Sequence, residues 1–182
     1  RLHLGLGRSF QVNNLFWGTT VMMNVIMALY GAENKHIRMF SILEKRPELL
    51  AEAERLLKLV DLWDMRNESP TLLSYGEQRL LELLMAFTAK PKLVLLDEPS
   101  AGLPTAEVEL FTQRLRALAG DTTLLFCAHD MDLVFALADE IMVLYFGQII
   151  AKGPPKEIAS NPKVQEIYLG GDDDTYDKAH NG

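Results

Sequence analysis

An α/β fold, a parallel sheet joined to a sizeable helical region, is what this 182-residue sequence predicts. Three observations carry the prediction. Leu93–Leu96 is an unbroken apolar run, the pattern of a strand covered on both faces. From that point strand-like and helix-like segments alternate, which implies parallel pairing. Ahead of it, from Leu15 to about Phe87, apolar residues recur mostly at helical spacing.

Taken in order, Leu4 to Val12 suggests a short strand leading to Gln11. Thr19 or Thr20 is placed to cap a helix with Val21, Val25, Ala28 and Leu29 on one face. Pro47 suits a first helical turn, and Leu49, Ala53, Leu56, Leu57 and Val60 keep helical spacing behind it. Met22, Met23, Met27 and Met39 enrich this region in soft side chains suited to core packing. After the Leu93 strand, Ala106–Leu118 reads as a helix stopped by Gly120, Thr122–Ala128 as a strand, and Met131–Ala138 as a helix. Ile141–Phe146 and Gln148–Ala151 form strands around Gly147, and short helices are expected over Pro155–Ala159 and Pro162–Tyr168. Gly170 to Gly182, with Asp172-Asp173-Asp174, reads as a solvated tail.

Composition narrows the function classes. With 48% hydrophobic and 24% charged residues, the chain can bury one sizeable core. A net charge of −7 argues against sequence-independent nucleic-acid binding, which needs a basic stripe to displace counterions. A single cysteine, Cys127, allows no internal disulfide and fits a reducing compartment; its apolar strand context reads as a small buried packing residue. No apolar run approaches the roughly 18–20 residues that span a bilayer, and the longest, Val21 to Tyr30, is interrupted by Asn24. No secretory signal is visible. The chain opens at Arg1 inside an apparent element, and the expectation is a fragment whose amino-terminal portion lies upstream.

The residues suited to chemistry fall at element ends. Ligands of parallel α/β sheets sit beyond the carboxyl ends of the strands, where Asp97-Glu98 emerges and can hold a magnesium ion and orient a water. By itself a D-E-P tripeptide reads more readily as a solvated turn. Ser74 and Glu77 form the pattern of a capping box, which also leaves backbone N–H groups at a positive dipole end, with Gly76 allowing close approach of an anion. Structure explains that motif as well as phosphate binding does. His129 ends the Thr122–Ala128 strand; a lone histidine is usually structural, and His3, His36 and His180 offer no metal-ligand spacing.

Together, Gln11, the serine–glycine helix start, Asp97-Glu98 and His129 stand in an order that resembles the nucleotide-binding domains of ABC transporters. Leu73-Ser74-Tyr75-Gly76-Glu77-Gln78 is similar to the family signature, commonly L-S-G-G-Q, with tyrosine and glutamate as variants. Leu93–Asp97 resembles Walker B, Glu98 the catalytic glutamate, Gln11 the Q-loop glutamine and His129 the switch histidine. Arg8-Ser9-Phe10-Gln11, Leu15-Phe16-Trp17, Leu73–Arg79, Ala128-His129-Asp130-Met131 and Ile167-Tyr168-Leu169-Gly170 resemble the ATP-binding subunits of branched-chain amino acid importers in particular.

The resemblance implies a P-loop NTPase core with an inserted α-helical subdomain and its N-terminal strands missing. Residues 1–14 would end the first part of the core with the Q-loop, and 15–86 would form the helical subdomain ending in the signature. Residues 87–170 would carry Walker B, the D-loop and the switch histidine, and 171–182 an acidic tail. It further implies ATP and Mg2+ as ligands and a second ABC ATPase subunit, homo- or heterodimeric, as partner. Each ATP would lie between one subunit's P-loop and Ser74, Gly76, Glu77 and Gln78 of the other. Asp97 would hold magnesium through its water shell, and Gln11 would sense magnesium and the γ-phosphate. Glu98 would polarise the attacking water and His129 contact the γ-phosphate. Leu15, Phe16 and Trp17 would line a cleft for a transmembrane permease or else serve as ordinary core. The protein would thus sit in the cytoplasm, peripheral to the inner face of the cell membrane, touching it only through that permease.

Two departures stand out. No G-x-x-x-x-G-K-[ST] loop occurs in these residues, nor an aromatic counterpart to stack on adenine, so they are expected to bind ATP poorly by themselves. Pro104 follows Ser100-Ala101-Gly102-Leu103 where the family usually places an aspartate or other polar residue; it offers neither side-chain donor nor N–H, leaving Thr105 as the nearest hydroxyl. The alternative readings are an ABC ATPase of another transport or non-transport system and a non-catalytic degenerate module. The short spacing from Gln11 to Ser74 disfavours the coiled-coil arms of DNA-repair relatives.

Overall fold

The computed structural model describes residues 6–8, 15–32 and 46–169, so Gln11, Met39 and the acidic tail lie outside the described residues. It separates into two compact units, Arg1–Leu133 and Val134–Gly182.

The first unit holds a parallel sheet in the order β1 (Leu6–Arg8), β2 (Leu93–Asp97), β3 (Thr123–Cys127). β2 is central, with Leu6 opposite Leu93 on one side and Leu93 opposite Thr123 on the other. Its side chains alternate: Val94 and Leu96 are buried, while Leu93 and Leu95 are only half-buried. The apolar run thus closes one face of the sheet more completely than the other. The same alternation corrects the reading of Cys127. It is exposed, because it shares the open face of β3 with Thr123 and Leu125, the latter 61% exposed.

Helix α1 (Val21–Ala32) starts at Thr20, whose Oγ1 accepts a hydrogen bond from Met23 N at 3.2 Å. Two first-turn donors, Val21 N and Met22 N, reach the carbonyls of Glu68 and Arg66, both at 2.9 Å. This satisfies groups a helix start leaves without intrahelical partners. The buried face is Val21, Asn24, Val25, Ile26 and Leu29, with Ala28 only half-buried. Asn24, which looks like an interruption in the sequence, is fully buried. Its carboxamide accepts from Phe16 N (2.8 Å) and donates to Phe16 O (3.1 Å) and Thr20 O (2.9 Å). The side chain therefore pairs with the incoming turn as a neighbouring strand would, and leaves Phe16 and Trp17 exposed.

Helix α2 (Pro47–Leu59) buries Leu49, Ala53, Leu56 and Leu57, and Val60 follows them into the core. The spacing read from the sequence is the face observed. Two short 3-10 turns, Trp63–Met65 and Pro70–Leu72, lead to α3 (Tyr75–Phe87), which packs against α1, β1 and α4 (Thr105–Ala119). Surrounded in this way, α3 buries Leu80, Leu81, Leu83, Leu84 and Phe87. It also buries an ion pair, Arg79–Glu82, at 2.6 Å. α4 buries Val108, Phe111, Leu115 and Leu118 and ends at Gly120, whose φ of +52° suits glycine.

Helix α5 covers Met131–Leu137. The second unit is an antiparallel hairpin, β4 (Ile141–Tyr145) and β5 (Gln148–Gly153), followed by α6 (Pro155–Ala159) and α7 (Pro162–Val164). Phe146 and Gly147 both take positive φ, +45° and +74°, as a tight two-residue hairpin turn requires. Ile141, Ile158 and Val164 form the core, with Val134, Phe135, Ala138, Val143 and Ala151 packed on them. The helix expected over Pro162–Tyr168 changes character after Val164, where Gln165–Leu169 winds as a π-helical turn. Tyr168 there donates its hydroxyl to Leu144 O at 2.6 Å.

Among the described residues, no helix is long and apolar enough to cross a membrane. Replacing Asn24 by alanine removes all three hydrogen bonds to the Phe16–Thr20 turn. Asn24→Ala is expected to lower unfolding stability by about 2 kcal/mol, measured by denaturant titration; an unchanged midpoint would show that water replaces the carboxamide at no cost.

Candidate functional site

The site is built where β2 and β3 end side by side. Register sets Asp97 opposite Cys127, so the residues that follow each strand emerge together. Asp97 closes β2 as an exposed carboxylate. Glu98 then turns the chain with φ +46°, a left-handed conformation that costs a non-glycine residue of order 1 kcal/mol. Its backbone is held on both sides: Glu98 N donates to Cys127 O at 2.9 Å, and Glu98 O accepts from Ala101 N at 3.1 Å.

That turn brings the Glu98 carboxylate to His129. Nδ1 of His129 lies 2.8 Å from Oε2 of Glu98. A carboxylate only accepts, so Nδ1 carries the proton and Nε2 is left for a ligand. The Glu98 hydrogen bond raises the His129 pKa above the ordinary histidine value, and its charge and that of Asp130 add to the effect against slight desolvation. The His129 side chain is 83% exposed. Solvent therefore screens the pair, and what it contributes is orientation of the imidazole more than stability.

At the start of α3, both halves of the capping box form. Ser74 Oγ accepts from Glu77 N at 3.3 Å, and Ser74 N donates to Glu77 Oε2 at 2.8 Å. Gln78 reaches back, donating Nε2 to Leu73 O at 3.0 Å. Gly76 is buried, and a methyl group built on it would stand 3.0 Å from Glu107 Oε2 and 3.1 Å from Leu103 Cδ2. Packing against Leu103 and Glu107 thus leaves little room for a side chain there, irrespective of any ligand. Pro104 occupies the N-cap of α4 without a side-chain bond, and its carbonyl accepts from Glu107 N at 2.8 Å.

The structure therefore joins Glu98 to His129 and Ser74 to Glu77, sets Asp97 beside the first pair, and leaves Gln11 outside the described residues. In the loop between Glu98 and α4 the sequence drew attention to Pro104 and Thr105, whereas its glycine and leucine carry the contacts described below. The hint available was the glycine of Ser100-Ala101-Gly102-Leu103, which takes φ +81°.

Comparison with known proteins bears on this arrangement. A model of the ABC transporter family matches residues 2–101. The chain belongs to the ABC transporter family. A model described as branched-chain amino acid ATP-binding cassette transporter matches residues 148–174 of this ABC chain. It is 35% identical over 176 residues to the high-affinity branched-chain amino acid transport ATP-binding protein LivG of Salmonella typhimurium, covering 92% of the chain and 68% of that relative. BraF of Pseudomonas aeruginosa, a protein of the same description, is 33% identical, covering 91% of the chain and 68% of that protein. Among solved structures, the ADP conformation of an ATP-binding cassette of an ABC transporter superposes with a TM-score of 0.70 at 28% identity, covering 93% of this chain and 70% of that one. The ABC fold, a P-loop NTPase fold, is thus shared by the described helices and parallel sheet.

The His129–Glu98 hydrogen bond has a direct readout. Because it holds the His129 pKa up, the attraction is present while His129 is protonated and fades as pH rises through the raised value. Glu98→Gln is expected to lower the His129 titration midpoint toward about 6.5, followed through the imidazole Cε1–H signal by NMR; an unmoved midpoint would mean the pair does not form in solution.

Proposed function

We propose that this chain is part of the ATP-hydrolysing subunit that energises an ABC importer of branched-chain amino acids. The observation that carries the reading is the Glu98–His129 pair at the joined ends of β2 and β3. The similarity to LivG and BraF, branched-chain amino acid transport ATP-binding proteins, supports the choice of cargo.

In this reading Glu98 orients and polarises the water that attacks the γ-phosphate. His129, with Nδ1–H committed to Glu98, donates Nε2–H to the γ-phosphate as the imidazolium that Glu98 favours. Phosphoryl transfer depends on positioning and charge stabilisation, which is what the left-handed turn and the strand register provide here. Ser74, Gly76, Glu77 and Gln78 serve an ATP held by a second ABC ATPase subunit. For Mg2+, the described residues contain no cluster of three or more His, Cys, Asp or Glu able to hold a metal among themselves. Magnesium asks for less: one or two carboxylates, with phosphate oxygens and water completing its shell. Asp97, exposed at the end of β2, fits that demand, with Gln11 as the second protein group. The bound ion neutralises charge developing on the phosphates.

Residues 1–14 then complete the first part of the core, 15–86 form the helical subdomain, 87–170 the remainder of the core, and 171–182 an acidic tail. Exposed Phe16 and Trp17, held out by Asn24, face a transmembrane permease. Through that permease the subunit sits at the inner face of the cell membrane. The 182 residues contain no Walker A loop, and hydrolysis belongs to the full-length subunit.

The test is reconstitution of the full-length subunit with its permease in liposomes, following ATP hydrolysis and leucine uptake together. Glu98→Gln is expected to lower hydrolysis about 100-fold or more and abolish uptake while ATP binding persists. Wild-type protein that hydrolyses no ATP, or a Glu98→Gln variant that hydrolyses at the wild-type rate, would overturn the assignment. The isolated 182 residues are expected to show no ATP-dependent rise in thermal stability at millimolar nucleotide.

A further inference from the structure

The start of α3 and the loop after Glu98 are interlocked through two glycines. A methyl group built on Gly102 would lie 3.2 Å from Tyr75 Cε1, 3.5 Å from its Cζ and 3.6 Å from its Oη. One edge of the Tyr75 ring therefore rests over a backbone that has no side chain. The reciprocal contact runs the other way: Leu103 Cδ2 reaches Gly76, where a methyl group would meet it at 3.1 Å. Each segment thus offers a glycine to a large side chain of the other. Tyr75 is 47% exposed and Leu103 half-buried, so each contact bears on one side of its residue, and a movement of either segment toward the other presses on it through that contact.

The loop is also stiff between that contact and Glu98. Leu103 N donates to Ser100 O at 3.0 Å, and Ala101 N donates to Glu98 O at 3.1 Å. Ser100 is buried, and Pro104 fixes the far end at φ −59°. A contiguous path of packed atoms and hydrogen bonds runs from Ser74-Tyr75-Gly76 through Gly102 and Ala101 to the Glu98 backbone, and from its carboxylate to His129. The common L-S-G-G-Q signature has glycine at the position of Tyr75 and no ring to make this contact.

We propose that Tyr75 is a positioning residue that couples the signature end of α3 to Glu98 within one subunit. The inference rests on the functional reading above, in which Ser74 and Gly76 meet the ATP of a partner while Glu98 serves the subunit's own ATP. Nucleotide arriving at the signature shifts the Tyr75 ring, and Gly102 carries that shift to the turn that aims Glu98. Filling one ATP site thereby tunes hydrolysis at the other.

The experiment uses the full-length subunit assembled with its permease in liposomes and measures hydrolysis rate against ATP concentration. With two sites the Hill coefficient has a ceiling of about 2. Wild-type protein is expected to exceed 1 clearly, Tyr75→Ala to fall to about 1 with a several-fold lower kcat, and Tyr75→Phe to restore the wild-type curve because the ring makes the contact. A Tyr75→Ala variant with lower thermal stability and an unchanged Hill coefficient would overturn the coupling and leave Tyr75 as packing. If Tyr75→Ala does not assemble, Leu103→Ala removes the reciprocal contact and must lower the Hill coefficient in the same way; an unchanged coefficient overturns the proposal. Wild-type hydrolysis with a Hill coefficient of about 1 also overturns it. Absence of wild-type hydrolysis is a different failure, since it removes the functional reading itself.

Discussion

Parallel pairing of β2 between β1 and β3 is the constraint on which the site depends. Because the strands run the same way and Asp97 is in register with Cys127, both chains leave the sheet at one edge. Two short excursions, to Glu98 and to His129, then suffice to bring a carboxylate and an imidazole within 2.8 Å. A slip of one residue in that register would turn the alternating side chains to the opposite face and carry Asp97 with them. The buried faces of Val94 and Leu96 resist such a slip, so the packing of two aliphatic residues holds the geometry of the polar ones.

The second support is the helical region, which acts through specific polar contacts as much as through its core. Asn24 ties the Phe16–Thr20 turn to α1, and the carbonyls of Arg66 and Glu68 receive the first donors of that helix. α3, buried along most of its length, carries Ser74 at its start and holds it by a complete capping box. The one end of α3 is thus rigid in itself and interlocked with the loop from Glu98. Two regions distant in sequence, the Ser74 turn and the Glu98 turn, consequently behave as neighbours in a single packed unit.

Much of the fold was legible because its elements obey simple periodicities. Leu49, Ala53, Leu56, Leu57 and Val60 announced the buried face of α2, and Gly120 the end of α4. The capping box at Ser74 could be read from two residues three apart. What escaped the reading depended on partners elsewhere in the chain. Cys127 looked buried from its apolar neighbours, yet alternation along β3 sets it with Leu125 on the open face. Asn24 looked like a flaw in an apolar stretch, and only the turn it binds explains its burial.

The sequence alone determined the element order, the ABC family resemblance and the residue types at the ends of the strands, because each rests on local spacing and short motifs. Tertiary structure decided which of those residues meet. The left-handed turn at Glu98 and its bond to Cys127 aim its carboxylate at His129, and Gly102 takes φ +81° with the edge of the Tyr75 ring over it. Contacts of this kind join residues tens of positions apart, and no local pattern encodes them. They follow from strand register and helix packing, which form only when the whole unit folds.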